Sequence, residues 1–183
     1  MSDLILRTPR LRLVGATPAL LRAEGDDRAR FGQLLNARVA DRWPPELYDD
    51  DARLWTLAAV EREPQHAGWW MYYVVVEDAG EVVGVVGYKG PPGDDGTVEV
   101  GYGIVPGHRR RGIATEATAA LVDRAFADPR VTRVIAETMP ELVASIGVME
   151  KLGFTLEGDG SEPGVIRYTL PRPRWSERRE PAG

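Results

Sequence analysis

Leu11 and Leu13 alternate with Arg10 and Arg12 in the opening segment LILRTPRLRLV, the period-two pattern of a half-buried strand. Thr17 followed by Pro18 predicts a helix start, a hydroxyl cap ahead of a proline at the first helical position. From Asp27 the apolar positions Phe31, Leu34, Leu35 and Val39 fall at helical spacing, until DRWPPELYDDD interrupts them. Asp51 or a neighbour is placed to cap a further helix, which carries Leu54, Leu57 and Ala58 on one face and stops at Pro64. At Trp70 the period changes. MYYVVVED, GEVVGVVGYK and TVEVGYGIV are Val- and Tyr-rich runs separated by EDAGE and GPPGDDG, which predicts an antiparallel meander of three strands. Ala114, Ala117, Thr118, Leu121, Val122 and Ala125 then recur as one face of an amphipathic helix ended by DPR. VTRVIAET reads as another strand, ELVASIGVMEKLGF as a helix closed by Gly153, and FTLEG with VIRYTL as a terminal strand pair.

The order of strands, helix, strand, helix and strands predicts an α+β (α/β) fold with a single domain over residues 1–170. The Pro- and Arg-rich PRPRWSERREPAG, residues 171–183, reads as a flexible tail. At 183 residues the chain has the length to bury one sizeable core, and 43% hydrophobic with 28% charged residues is ordinary for a globular protein.

Composition narrows the chemistry. There is no cysteine and only two histidines, His66 and His108, far apart in sequence, which argues against a thiolate nucleophile and against a metal centre. WWMYYVVV is too short to span a bilayer, and the N-terminus carries no signal-like apolar run, so a cytoplasmic location without membrane association is expected. A net charge of -5 argues against nucleic acid as a partner.

The acidic balance makes GHRRRGIATEATAALVDRAF, residues 107–126, the segment to explain. A strand ending near Val105 and a helix starting near Gly112 would leave the amides of Arg111 to Thr115 among the unpaired donors of a helix N-terminus, which bind anions. The glycines at 101, 103 and 107 do not have dinucleotide-fingerprint spacing, and no GxxxxGK[ST] loop occurs. Of 23 basic residues only Lys89 and Lys151 are lysine, so a run of arginine is partly this chain's own usage. Glu99 stands out for a different reason, as a charge inside an otherwise apolar strand two residues before Gly101.

RRRGIA fits R/Q-x-x-G-x-G/A with Arg109, Gly112 and Ala114 in the defining places. Together with LRTPRLRLV, VEVGYGIVPGHRRRGIATEA and VIAET...ASIGVMEKLGF it resembles the GNAT superfamily of N-acetyltransferases, in the branch of the ribosomal-protein N-terminal acetyltransferases. The resemblance covers roughly residues 4 to 170 in element order.

That resemblance implies a mixed, mostly antiparallel twisted sheet flanked by helices, with a splayed central strand pair forming a coenzyme A cleft. It implies acetyl-CoA as co-substrate and transfer of acetyl to a primary amine by direct attack on the thioester. Ile104 and Val105 would pair with the pantetheine arm, and Arg109, Arg110, Arg111, Gly112, Ile113, Ala114 and Thr115 would hold the pyrophosphate. Glu99 would accept the amine proton and Ser145 would protonate the departing thiolate, with Tyr102 and Tyr168 as further phenol donors. Trp43, Trp70 and Tyr72, with Trp69, would line the acceptor pocket, or equally fill core and lid; Glu46 and Asp49 to Asp51 would attract a cation, or face water and cap a helix. The acceptor is expected to be a small molecule or a polypeptide N-terminus, and a homodimer is in keeping with relatives. Leu142 replaces the asparagine usual in this branch, which makes a CoA or acyl-CoA binding module with little turnover the alternative.

Overall fold

The computed structural model describes residues 4–179. Along the chain come β1 (Ile5–Arg7), β2 (Leu11–Gly15), α1 (Pro18–Asp26), α2 (Arg28–Leu35), β3 (Arg38–Val39), α3 (Asp50–Arg62) and a 3-10 segment (Pro64–Trp69). The meander β4 (Met71–Val76), β5 (Glu81–Tyr88) and β6 (Thr97–Ile104) follows, then α4 (Ile113–Ala127), β7 (Arg133–Thr138), α5 (Val143–Leu152), β8 (Thr155–Asp159), β9 (Ile166–Pro171) and α6 (Arg172–Arg179). The sheet order is β1-β2-β4-β5-β6-β7-β9-β8, with β3 beside the first residues of β5. Only β6 with β7 and β3 with β5 are parallel; every other pair is antiparallel.

Both faces of the sheet are covered, which is why its middle strands read as continuous apolar runs. β4 turns Tyr72 and Val74 towards α4, and Tyr73 and Val75 towards the layer of α1 to α3. β5 carries one extra residue opposite the Val74–Val75 step. The resulting bulge lets Val82 and Val85 face the α1–α3 layer while Val83 and Val86 face α4. On the α4 side Ala117, Leu121, Val122 and Ala125 are fully buried, as the helical period predicts.

Helix starts follow their side-chain caps. Thr17 accepts from the Leu20 amide, Asp27 from Arg30 and Asp49 from Ala52. Asp49 rather than Asp51 therefore opens α3.

Three expectations give way. Val39 lies in β3 and not on a helix, because Asn36 takes a left-handed conformation (φ 47°) that ends α2. On α3 the buried residues are Thr56, Ala59 and Val60, whereas Leu54 is 50% exposed. Residues 172–179, expected to fray, form a helix whose Trp175 is buried and donates its indole N–H to Asp123 on α4. Arg172 anchors the start of α6 by donating to the carbonyls of Phe126, Asp128 and Val131, so this arginine satisfies backbone rather than water. Among the described residues no helix is long and apolar enough to cross a membrane.

Candidate active site

β6 and β7 pair only over Thr97–Glu99 and Arg133–Ile135. Beyond this, β6 stays with β5 through Ile104 while β7 stays with β9 through Thr138, so the two strands part. The Lys89 amide donates to the Glu99 carbonyl at 3.0 Å and the Val105 amide to the Val83 carbonyl at 2.9 Å. Since these pairs alternate along an antiparallel ladder, Val100, Tyr102 and Ile104 turn their backbone groups to the open edge. Val105 does not belong to that edge: its amide is committed to Val83 and its side chain is buried.

A cavity of about 1130 Å³ follows the open edge from the start of α4 to the loop between β8 and β9. Arg109, Arg110, Gly112, Ile113, Ala114 and Thr115 line one end. Gly112 holds φ 74°, a left-handed conformation that lets the chain turn into α4. Behind it, the amides of Ile113, Ala114 and Thr115 belong to the first helical turn, whose donors have no partner within the helix. Arg111 does not line the cavity; its carbonyl accepts from Arg10 at 3.0 Å. Arg109 donates from Nε to the Ile104 carbonyl at 2.9 Å and from Nη2 to Glu46 at 2.8 Å.

The loop carrying Gly112 is braced from outside. Glu116, in the first turn of α4, accepts from the Thr8 hydroxyl and from the amide and Nε of Arg10. Burial pushes the Glu116 carboxyl up, but these donors outweigh it and hold it below the ordinary value.

In the middle of the cavity Tyr102 and Ser145 meet. The Tyr102 hydroxyl is 2.8 Å from the Ser145 carbonyl oxygen and 3.2 Å from its Oγ. Burial pushes the Tyr102 hydroxyl up to about 12, against the pull of Ser145, so it stays protonated at neutral pH. Tyr168 is buried in the core and does not line the cavity. Glu99 forms an ion pair with Lys89; Lys89 lines the cavity, whereas Glu99 does not. Leu142 lines the cavity and occupies the N-cap position of α5 without a side-chain cap.

The aromatic residues divide differently from expectation. Tyr72 is fully buried on the α4 side and donates to the Gly68 carbonyl. Trp43 packs against Phe31 and Tyr73 with ring centroids 5.5 and 6.2 Å away, and donates to Glu24. Trp69 lies against Tyr88 at 4.9 Å. Tyr72 and Trp69 fill core, and Trp43 is half-buried against it. Trp70 is also buried, its indole N–H without a partner among the described residues, but its ring meets Trp55 edge-on at 5.7 Å. Trp55, with Leu47, Tyr48, Ala52, Met71 and Val85, bounds a second cavity of about 400 Å³ between α3 and the sheet.

Sequence reasoning did not single out Trp55, Leu47 or Lys151, all of which line these cavities, nor Arg10 beside Gly112. Lys151, in the last turn of α5, carried a signal as one of only two lysines. Leu47 and Trp55 carried one only as apolar residues beside an acidic run. Asp49 caps a helix and Asp50 pairs with Arg53, so that run is largely structural.

Residues 19–155 match the family model described as Acetyltransferase (GNAT) domain. The uncharacterized N-acetyltransferase YjdG of Bacillus subtilis is 28% identical over 158 residues, spanning 86% of this chain and 94% of that protein. Among solved structures, a ribosomal-protein-S5-alanine acetyltransferase from Vibrio fischeri superposes with a TM-score of 0.67 at 17% identity, covering 93% of this chain and 98% of the other. Mycobacterium smegmatis RimJ in complex with CoA-disulfide gives 0.65 at 20% identity, covering 96% and 88%.

Proposed function

This chain belongs to the GNAT acetyltransferase family, and from that premise we propose that it transfers acetyl from acetyl-CoA to the primary amine of a small molecule or a polypeptide N-terminus, by direct attack on the thioester. The observation that carries the reading is the continuity of one cavity, which takes in the open edge of β6, the first turn of α4 and the Tyr102–Ser145 pair. Solved relatives with bound CoA or acetyl-CoA support the choice of co-substrate.

The residues divide the work by chemistry. The amides of the first turn of α4, with Arg109 and Arg110, suit the pyrophosphate, where helix dipole and unpaired donors act together. The backbone groups of Tyr102 and the amide of Ile104 suit an extended amide-containing arm, as an exposed strand edge does, while the Ile104 carbonyl is held by Arg109. The acceptor nitrogen bonds to the thioester carbonyl carbon, and an open-edge N–H near Ile104 stabilises the oxygen as it gains charge. Collapse breaks the carbon–sulfur bond. Glu99, released from Lys89, takes the proton lost by nitrogen, directly or through water, and the sulfur receives one from Ser145 or from Tyr102.

Release of CoA thiol from acetyl-CoA against a panel of amines tests the reading. Turnover with at least one amine, lost in Glu99→Gln while CoA affinity stays within a factor of about two, is expected. Tight CoA binding with no thiol release from any amine would instead establish a binding module.

A further inference from the structure

The second cavity carries information about what the acceptor looks like, provided the acetyl-transfer reading holds. It shares Glu46, Leu47, Lys89, Gly101, Tyr102 and Gly103 with the larger cavity. The two therefore meet where β6 leaves β7, two residues along the strand from Glu99. Lys89, the ion-pair partner of Glu99, borders both cavities, so an amine beside that pair has the second cavity next to it.

The walls are unlike those of a site for a polar cation. Leu47, Tyr48, Ala52, Trp55, Met71 and Val85 are apolar or aromatic. Among the described residues Glu46 is the one carboxylate bordering the cavity, and it is engaged by Arg109 at 2.8 Å. Nothing on these walls balances a second positive charge. Gly87 and Gly101 are direct partners across the β5–β6 ladder; a Cβ on Gly101 would find no atom within 4 Å, whereas one on Gly87 would meet the backbone of Trp70 and Met71. The open position at Gly101, with the indole of Trp55 among the same walls, leaves room for a flat group.

The rim points the same way. Trp55 is 54% exposed, an uncommon setting for so large an apolar ring, and Trp70 fixes it from behind at an interplanar angle of 79°. Leu47 is 78% exposed and holds φ 66°, a conformation unfavourable for leucine and typical of positions kept for a task. Pro45 packs over Gly103 and keeps this strap against the sheet.

We propose that the acceptor is a primary amine carrying a flat apolar body, an aryl group a few bonds from the nitrogen, and that Trp55 is the residue that selects it. A free arylalkylamine and a polypeptide beginning with an aromatic residue present the same chemistry to this slot.

The test uses the full chain, acetyl-CoA and five acceptors: 2-phenylethylamine, n-propylamine, putrescine, a peptide beginning with Phe and one beginning with Ala. In the wild type, phenylethylamine over propylamine, or the Phe peptide over the Ala peptide, should lead in kcat/KM by roughly tenfold or more, the scale on which an apolar pocket discriminates. Whichever aryl acceptor leads names the source. Trp55→Ala should shrink that ratio to within about threefold, mainly by raising KM for the aryl acceptor, while Trp55→Phe keeps most of it. Because Trp55 is half exposed, its loss should leave the unfolding midpoint near the wild-type value, and an unfolding scan checks that. A wild type without aryl preference, a ratio unchanged in Trp55→Ala, or putrescine as the best acceptor overturns the proposal while acetyl transfer stands. A wild type that releases no thiol with any amine overturns acetyl transfer itself, and the acceptor proposal with it.

Discussion

The Tyr102 hydroxyl sits 2.8 Å from the Ser145 carbonyl oxygen and 3.2 Å from the Ser145 hydroxyl, joining the open strand β6 to the first turn of α5 across the cleft. Two protonated hydroxyls thus face one region of the cavity. On the proposed mechanism either supplies a proton to the departing thiolate, and the pair is reprotonated from solvent.

A shared role predicts non-additive losses. Tyr102→Phe and Ser145→Ala should each lower kcat by about tenfold, with the double variant falling well short of their product, as for residues acting as a unit. Steady-state kinetics of all three variants checks this. Since burial raises the Tyr102 hydroxyl to about 12, its ionisation should cause no alkaline decline in kcat below about pH 10. A decline there that vanished in Tyr102→Phe would show the hydroxyl ionising far earlier than its surroundings allow.

Gly112 and Arg111 separate backbone from charge at the turn into α4. Gly112 is left-handed at φ 74° and lines the cavity, whereas Arg111 does not line it. Gly112→Val should weaken CoA binding by about tenfold or more, since a left-handed conformation costs an L-residue about 1–2 kcal/mol before any crowding. Arg111→Ala should change it by no more than about threefold, the scale of a screened surface charge. Calorimetric titration with CoA distinguishes the two, and the reverse order would assign the site to charge.

Glu24 ties together the segment that contributes Tyr48 to the second cavity. It accepts hydrogen bonds from the Trp43 indole at 3.0 Å, the Tyr48 hydroxyl at 3.0 Å and the Tyr73 hydroxyl at 2.6 Å. Glu24→Ala would strand these three donors, at about 3 kcal/mol or more in denaturant unfolding. Burial is the largest influence on the carboxyl and raises it, although the three donors and Arg53 pull the other way. A raised folded value means the stabilisation is fully present below the unfolded value and fades as pH rises through the folded one. Relative to Glu24→Gln, the wild type should therefore lose stability from about pH 4 upward, which unfolding midpoints across pH 4–8 would show.

What the chain displayed of itself depended on whether a residue's neighbours in sequence are its neighbours in space. The meander and α4 were legible because their periodicity and turn residues are local, and Gly112 because its turn lies within the motif. The face of α3 differs for a physical reason: Leu54 and Ala58 are apolar yet exposed, so the spacing of Leu54, Leu57 and Ala58 pointed away from Thr56, Ala59 and Val60, which bury. Trp43 and Tyr72 had the composition of a pocket and the placement of a core, and only the two-sided packing of β4 decides that. The arginine-rich C-terminal segment looked solvated because nothing local reveals that Arg172 meets three carbonyls some 40 residues back.

Leu142 tests whether departure from the usual asparagine weakens the enzyme or only its frame. It sits at the N-cap of α5 with φ -82° and ψ 63°, and its side chain caps nothing. Asparagine there would accept from an amide of the first turn, which typically adds about 1 kcal/mol to stability. Leu142→Asn should therefore raise the unfolding midpoint. Because Leu142 also borders the cavity three residues before Ser145, a firmer first turn should hold Ser145 closer to Tyr102 and raise kcat by about two- to fivefold, within what such positioning contributes. A gain in stability with no change in kcat would confine the role of this position to the helix start. A gain of a hundredfold or more in kcat would show instead that Leu142 had left the chain a poor catalyst, and that the asparagine acts on the reactants themselves.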